Sequence, residues 1–272
     1  MAHSLRYAVN CSLLFTELPL LERPAAAADA GFGAVEFWWP FAEPVPGDRA
    51  VDAFVTAVRD AGVQLVGLNF AAGDMPGGDR GLVSWPAREA EFRDNVEVTI
   101  GIGERLGCRA FNALYGNRVD GADPAAQDRL GAEQLALAAR AAGRIGGTVL
   151  LEPVSGAPRY PLLTAADVLA VLDRVREEHG VTNTGLLADL YHLVVNGDDV
   201  DKVIADSADR IAHVQIADAP GRAEPGTLPL ERQLGDLEAA GYRGWVALEY
   251  KPATSTLDGL GWLPRPRRAA SA

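Results

Sequence analysis

The sequence predicts an α/β protein, a single-domain (β/α)8 TIM barrel, and three observations carry that expectation. Short apolar runs alternate with longer helical patterns along almost the whole chain, the mark of repeated βα units around a parallel sheet. Eight such runs can be counted, and 272 residues suit one barrel, which commonly takes about 250. A doubly wound open sheet is the second reading, and its glycine-rich dinucleotide fingerprint is missing.

The expected strands are residues 6–12, 34–39, 64–70, 109–114, 148–153, 184–189, 211–217 and 245–250. Between them, helical spacing runs over 20–30, 49–61, 88–106, 124–142, 165–179, 200–207 and 230–240. Several helices stop at a glycine placed for a C-cap, at Gly31, Gly62, Gly107 and Gly241, each followed by an apolar residue that opens the next strand. Residues 71–87, rich in Gly and Pro, follow the third strand as a long βα loop, on the side where barrels keep their active sites. The barrel is expected to occupy residues 1–264, with an unstructured Arg/Pro/Ala tail at 265–272.

Composition narrows the function classes. The chain is 48% hydrophobic and 23% charged, with a formal net charge of −12. An acidic surface of that size disfavours nucleic acid as a partner. No apolar stretch reaches the roughly 18 residues of a membrane span, and the N-terminus lacks a secretory pattern. Cys11 and Cys108 are far apart and fit neither a disulfide framework nor a thiolate metal site. A cytoplasmic enzyme of a small molecule is the expectation, with a homo-oligomer left open.

Four strands end on oxygen-bearing side chains: "TVLLEP" on Glu152, "TGLLAD" on Asp189, "HVQIAD" carrying Gln215, and "WVALEY" carrying Glu249. A carboxylate at the end of an apolar run costs several kcal/mol to desolvate unless a cation or donors meet it. One glutamate at a strand end is usually a solvated rim residue or the partner of an arginine. Four on consecutive strands converge on one face of a barrel and make a hard oxygen site suited to Mg²⁺ or Mn²⁺. Gln215 is the weakest member, since an amide between Val214 and Ile216 also reads as a hydrogen-bonded core group.

"LLEPV", "DLYH", "HVQIAD", "GRAEPGT" and "ALEYKP", in that order, resemble the hydroxypyruvate isomerase family within the xylose-isomerase-like barrels, which includes 2-oxo-tetronate isomerases. The likeness extends to "NCSLLF", "GFGAVEFWWPF", "NFAAGDMPGGDRG" and "REAEFRDNV". It implies a divalent metal held by Glu152, Asp189, Gln215 and Glu249, with Glu152 and Glu249 as the proton-transfer pair. Two positions depart from the pattern: Leu68 precedes Asn69 where several relatives have histidine, and Met75 stands where tryptophan often follows "GD".

The implied reaction converts hydroxypyruvate to tartronate semialdehyde, or a 2-oxo-tetronate to its 3-oxo isomer, through a cis-enediolate. Moving a carbonyl to the neighbouring carbon removes a C–H proton and returns one next door, which two flanking carboxylates can do. Substrate contacts are expected from His192, Asn69, Lys251 and Arg222, the two cations facing the acid group. Arg80 is a further candidate clamp, with a solvated loop arginine as the stronger reading, and Glu36 is expected to support its strand end. The alternatives are an inosose dehydratase-like lyase and a ketose 3-epimerase, the latter usually carrying histidine where Gln215 stands. A zinc-cluster endonuclease of this fold needs many histidines, and the chain has four.

Overall fold

Eight parallel strands close on themselves in chain order: β1 (Arg6–Asn10), β2 (Ala34–Phe37), β3 (Gln64–Asn69), β4 (Ala110–Asn112), β5 (Thr148–Leu151), β6 (Thr184–Asp189), β7 (Ile211–Ile216) and β8 (Trp245–Leu248). The barrel shuts where β1 pairs with β8, Val9 opposite Leu248. The computed structural model describes residues 3–269. Helices α1 (Arg23–Asp29), α2 (Asp48–Asp60), α3 (Glu89–Leu106), α4 (Pro124–Gly143), α5 (Ala165–His179), α7 (Val200–Ser207) and α8 (Leu230–Ala239) stand in the expected intervals. The four glycines at helix ends all take positive φ, between 69° and 102°, where a Cβ would be strained.

Two elements differ from expectation. A six-residue helix, α6 (Leu190–Val195), follows β6 directly, because Asp189 caps it by accepting the Tyr191 N–H at 2.9 Å. The end of the chain is not loose throughout its expected tail: Arg265–Arg268 form a helical turn, α9, and Arg268 donates to the Leu260, Leu263 and Ala30 carbonyls. Residues 270–272, the rest of that tail, lie outside the described part.

The period of two along each strand sorts side chains between two compartments. Outward-facing Val9, Val35, Phe37, Phe111, Val149, Leu151, Val214 and Leu248 pack under the helices in the main core. Phe37 meets Phe54 edge-on at 5.2 Å, and Phe70 meets Phe92 in the same way. A second, smaller cluster of Ala8, Ala34, Val66 and Ala247, with Trp245 against it, belongs to the barrel strands themselves. Arg6 stacks on Trp245 at 4.2 Å beside it. Both cysteines are buried and unpaired, and no helix among the described residues is long and apolar enough to cross a membrane.

The long loop after β3 is tied to the segment after β4. Gly81 bridges Tyr115, the Ser84 N–H donates to the Tyr115 carbonyl at 2.8 Å, and the Gly116 N–H donates to Arg80 at 3.0 Å. Gly81 has φ of 112°, and a Cβ there would lie 1.9 Å from the Leu114 carbonyl oxygen. Gly81→Ala should therefore weaken this seam by at least about 1–3 kcal/mol. Hydrogen exchange checks it: the Ser84 and Gly116 amides should exchange about 5- to 150-fold faster while the barrel amides stay protected.

Candidate active site

Each of the eight strands brings a polar side chain to its C-terminal end: Asn10, Glu36, Asn69, Asn112, Glu152, Asp189, Gln215 and Glu249 in turn, all buried. Asn10 pairs in register with Glu36, Asn69 with Asn112, and Asp189 with Gln215. Four carboxylates thus crowd one mouth of the barrel. Burying that much like charge requires positive charge or donors close by.

Glu152, Asp189 and His192 form the tightest group, each with a potential ligand atom within 4.8 Å of the others. The Glu152 carboxylate accepts from Asn112 Nδ2 at 2.6 Å. Burial, and then the charge of Asp189, push its carboxyl up to about 8. Its carbonyl accepts from the Tyr160 hydroxyl at 3.2 Å, and Tyr160 in turn accepts the Tyr115 N–H. Those two contacts hold the start of the loop after β5.

Glu249 accepts from Trp38 Nε1 at 2.9 Å and from Arg222 at 2.7 Å, both on Oε1. Burial raises its carboxyl well above the ordinary range, with Arg222 opposing. Its second oxygen, Oε2, is buried without a hydrogen-bond partner, as is Oε1 of Gln215. Gln215 spends its amide nitrogen on Glu36 Oε1 at 2.7 Å. Both orphaned oxygens are acceptors, which a cation or a donor would satisfy.

Arg222 is the cation that touches this group. Its guanidinium donates to Asp189 Oδ2 at 3.1 Å and Glu249 Oε1 at 2.7 Å, and its Nε donates to the Glu249 carbonyl at 3.1 Å. The aromatic ring of Tyr191 lies 5.1 Å from it. Arg222 itself has φ of 54°, a conformation uncommon outside glycine and held here by its loop. Asp218 pins that loop by accepting the Ala219, Thr227 and Leu228 amides.

His192 stands between two donors. The Ser155 N–H points to Nδ1 at 3.0 Å, and Arg222 Nη1 approaches Nε2 at 3.2 Å. A neutral imidazole has only one lone pair to offer. Only one of the two nitrogens therefore accepts; the Ser155 hydroxyl also meets Nδ1, at 2.7 Å, and Nε2 lies 3.6 Å from Asp189 Oδ2. Burial, opposed by Asp189, lowers its pKa to about 4 and keeps the ring neutral near pH 7.

The remaining expected contacts spread out. Asn69 is buried at the end of β3. Lys251 lies beyond the end of β8, exposed, its backbone N–H donating to the Arg222 carbonyl at 2.8 Å. Arg80 is tied to its own loop by donating to the Met75 and Asp79 carbonyls. Asn10, Asn112, Trp38, Ser155 and His213 join the constellation without having been singled out. Their only advance signal is position, one polar side chain at or near the end of an apolar run in the cases of Asn10 and Asn112.

An eight-stranded barrel with a carboxylate cluster at the C-terminal ends of its strands defines a class of enzyme site. The chain belongs to the xylose isomerase-like TIM barrel family, whose model matches residues 24–265. It is 56% identical, over 97% of its length and 98% of the relative's, to a putative hydroxypyruvate isomerase of Streptomyces coelicolor. It is 36% identical, over 95% and 97%, to the 2-oxo-tetronate isomerase of Cupriavidus necator. Among solved structures, a family 2 AP endonuclease from Brucella melitensis superposes with a TM-score of 0.85 at 34% identity, covering 96% of this chain and 98% of that one. The hydroxypyruvate isomerase group, with its 2-oxo-tetronate members, is where the chain falls, and it is an isomerase by that kinship.

The part played by Arg222 is open to test. Arg222→Met leaves Asp189 and Glu249 buried together without their cation, which typically costs about 3–5 kcal/mol. Thermal melts should show the loss. An unchanged melting midpoint would remove Arg222 from this role.

Proposed function

We propose that the chain is a divalent-metal-dependent isomerase of a small hydroxy-carbonyl acid of about three or four carbons. The reaction would interconvert hydroxypyruvate with tartronate semialdehyde, or a 2-oxo-tetronate with its 3-oxo isomer. The observation that carries this reading is the pair of buried, partnerless acceptors, Gln215 Oε1 and Glu249 Oε2, beside Glu152 and Asp189. Oxygen donors of this kind fit Mg²⁺ or Mn²⁺, so Glu152, Asp189, Gln215 and Glu249 would hold the ion. When bound, such an ion supplies Lewis-acid polarisation of a substrate carbonyl.

The remaining chemistry falls to side chains. Glu152 on the β5 end and Glu249 on the β8 end enter the mouth with β6 and β7 between them. A substrate seated over Asp189 and Gln215 would meet one glutamate on each side. One would remove the proton from the carbon next to the carbonyl, and the other would return a proton to the neighbouring carbon. Asn112, bonded to Glu152, and Trp38, bonded to Glu249, keep one oxygen of each carboxylate occupied. His192 would hydrogen-bond a substrate hydroxyl. Lys251 at the rim and Arg222 deeper in would attract the acid group, with Asn69 as a polar contact on the opposite wall.

An endonuclease reading, suggested by the Brucella melitensis structure's name, is less well supported. The site is acidic, the formal net charge is −12, and two of the four histidines, His192 and His213, stand among its carboxylates. Phosphodiester backbones call for the opposite sign.

Two experiments decide the matter. Glu152→Gln and Glu249→Gln should each stop solvent deuterium entering the substrate's reacting carbon, since an amide cannot accept the proton. Normal wash-in in either variant removes that residue from the pair. A substrate panel of hydroxypyruvate, a 2-oxo-tetronate, D-fructose and an inosose, run with Mg²⁺ or Mn²⁺ and with chelator, tests the substrate class. Activity should follow the acids and vanish with chelator, and Lys251→Met should raise KM for the acid with kcat little changed. A preference for fructose or inosose overturns the proposal.

A further inference from the structure

We infer that Glu36 is a positioning residue: it fixes which end of the Gln215 amide faces the site. The inference rests on the metal reading above and adds a device beneath it. A backbone amide, whose polarity admits no ambiguity, anchors the chain of hydrogen bonds. The Ser12 N–H donates to Asn10 Oδ1 at 2.9 Å, so Asn10 must turn its Nδ2 toward Glu36 Oε1, 2.8 Å away. Glu36 Oε1 is therefore an acceptor. The Gln215 amide, 2.7 Å from that same oxygen, must present nitrogen to it, because oxygen facing oxygen at that distance is repulsive. Gln215 Oε1 is then forced to the other side, where it is buried and lacks a partner.

The amide of an unrestrained glutamine has two ends of nearly equal shape and opposite polarity. Only one of them can ligate a cation. The chain Ser12 N–H, Asn10, Glu36, Gln215 selects that end through hydrogen bonds alone, from the neighbouring strands β1 and β2 across to β7, with β8 between β7 and β1. The second Glu36 oxygen is held by His213 Nε2 at 2.7 Å, which stops the carboxylate from rotating. Room for it is left by Gly67 on β3: a Cβ there would stand 2.9 Å from Glu36 Oε2 and 3.2 Å from Glu36 Cβ.

The test reads Mn²⁺ affinity by calorimetry on metal-free protein without substrate. Glu36→Met, similar in volume but without an acceptor, should lower the affinity about 10- to 100-fold, the range for a lost partner of a ligand. Glu36→Gln keeps an acceptor toward Asn10 and Gln215, so it should stay within about threefold of wild type. If Glu36 acted only through its charge, both variants would lose affinity alike, and the inference falls. Equal affinity in wild type and Glu36→Met also sinks it. Failure of the wild-type protein itself to bind Mn²⁺ overturns the metal reading and this one with it, a result distinguishable from the other two. Should Glu36→Met not fold, Gly67→Ala, which crowds the carboxylate from β3, should reproduce its loss of affinity, and full affinity in that variant counts against the inference.

Discussion

The mouth of this barrel is governed by like charge. Glu36, Glu152, Asp189 and Glu249 are buried within a few strands of one another, and each carboxylate taken out of water carries an effective penalty of several kcal/mol unless compensated. Every other feature of the site answers that penalty. Arg222 lies across Asp189 and Glu249, Asn112 donates to Glu152, Trp38 donates to Glu249, and Glu36 takes donors from Asn10, Gln215 and His213. Even the loop carrying Arg222, with its uncommon backbone conformation, is held by Asp218 so that the guanidinium reaches inward. A fold that needed only stability would place apolar side chains here, since isosteric hydrophobic replacements of buried charge are often neutral or stabilising.

Closure of the sheet turns this charge into geometry. Parallel strands in chain order leave the ends of β5 through β8 adjacent, and the alternation of side chains sends Glu152, Asp189, Gln215 and Glu249 inward while their neighbours Leu151, Ala188, Ile216 and Leu248 pack outward. The sheet fixes the positions of the Cα atoms; it does not fix the polarity of what they carry. A carboxylate presents oxygen whichever way it turns, so Glu152 and Glu249 need only be aimed. Gln215 must also be told which end to show, and this is why its neighbours differ in kind, a fixed acceptor rather than a fixed donor.

Much of this was legible in the sequence, and the reason is that the strongest signals are costs. An apolar run ending in Glu or Asp is expensive, so Glu152, Asp189 and Glu249 stand out before any fold is drawn, and eight apolar runs in all, several of the helices between them ending at glycine, outline the barrel. Asn10, Asn112 and Trp38 were silent because a neutral polar or aromatic residue at a strand end has many cheap explanations. Their meaning comes from partners 26, 40 and 211 positions away, which no local pattern encodes. The short helix after β6 was hidden for a related reason: Asp189 read as a site residue, and its second task as a helix cap was visible only with the backbone turn in place. Lys251 lies past the point where β8 ends at Leu248, and it is exposed at the rim.

That rim position bears on how an acidic protein would take an acidic substrate. A net charge of −12 slows the approach of anions at long range, but with a screening length of about 8 Å at physiological ionic strength the decisive field is local. Within that radius the two candidate cations occupy different depths, and they are linked, since the Lys251 amide donates to the Arg222 carbonyl at 2.8 Å. Lys251 keeps its charge exposed and available to an incoming anion. Arg222 has its guanidinium committed to Asp189 and Glu249, so it can turn toward a substrate only to the extent that other positive charge satisfies those carboxylates. A divalent ion at the orphaned oxygens of Gln215 and Glu249 would provide that charge. An ion held there would share Asp189 and Glu249 with Arg222 and so free the guanidinium for a substrate acid group.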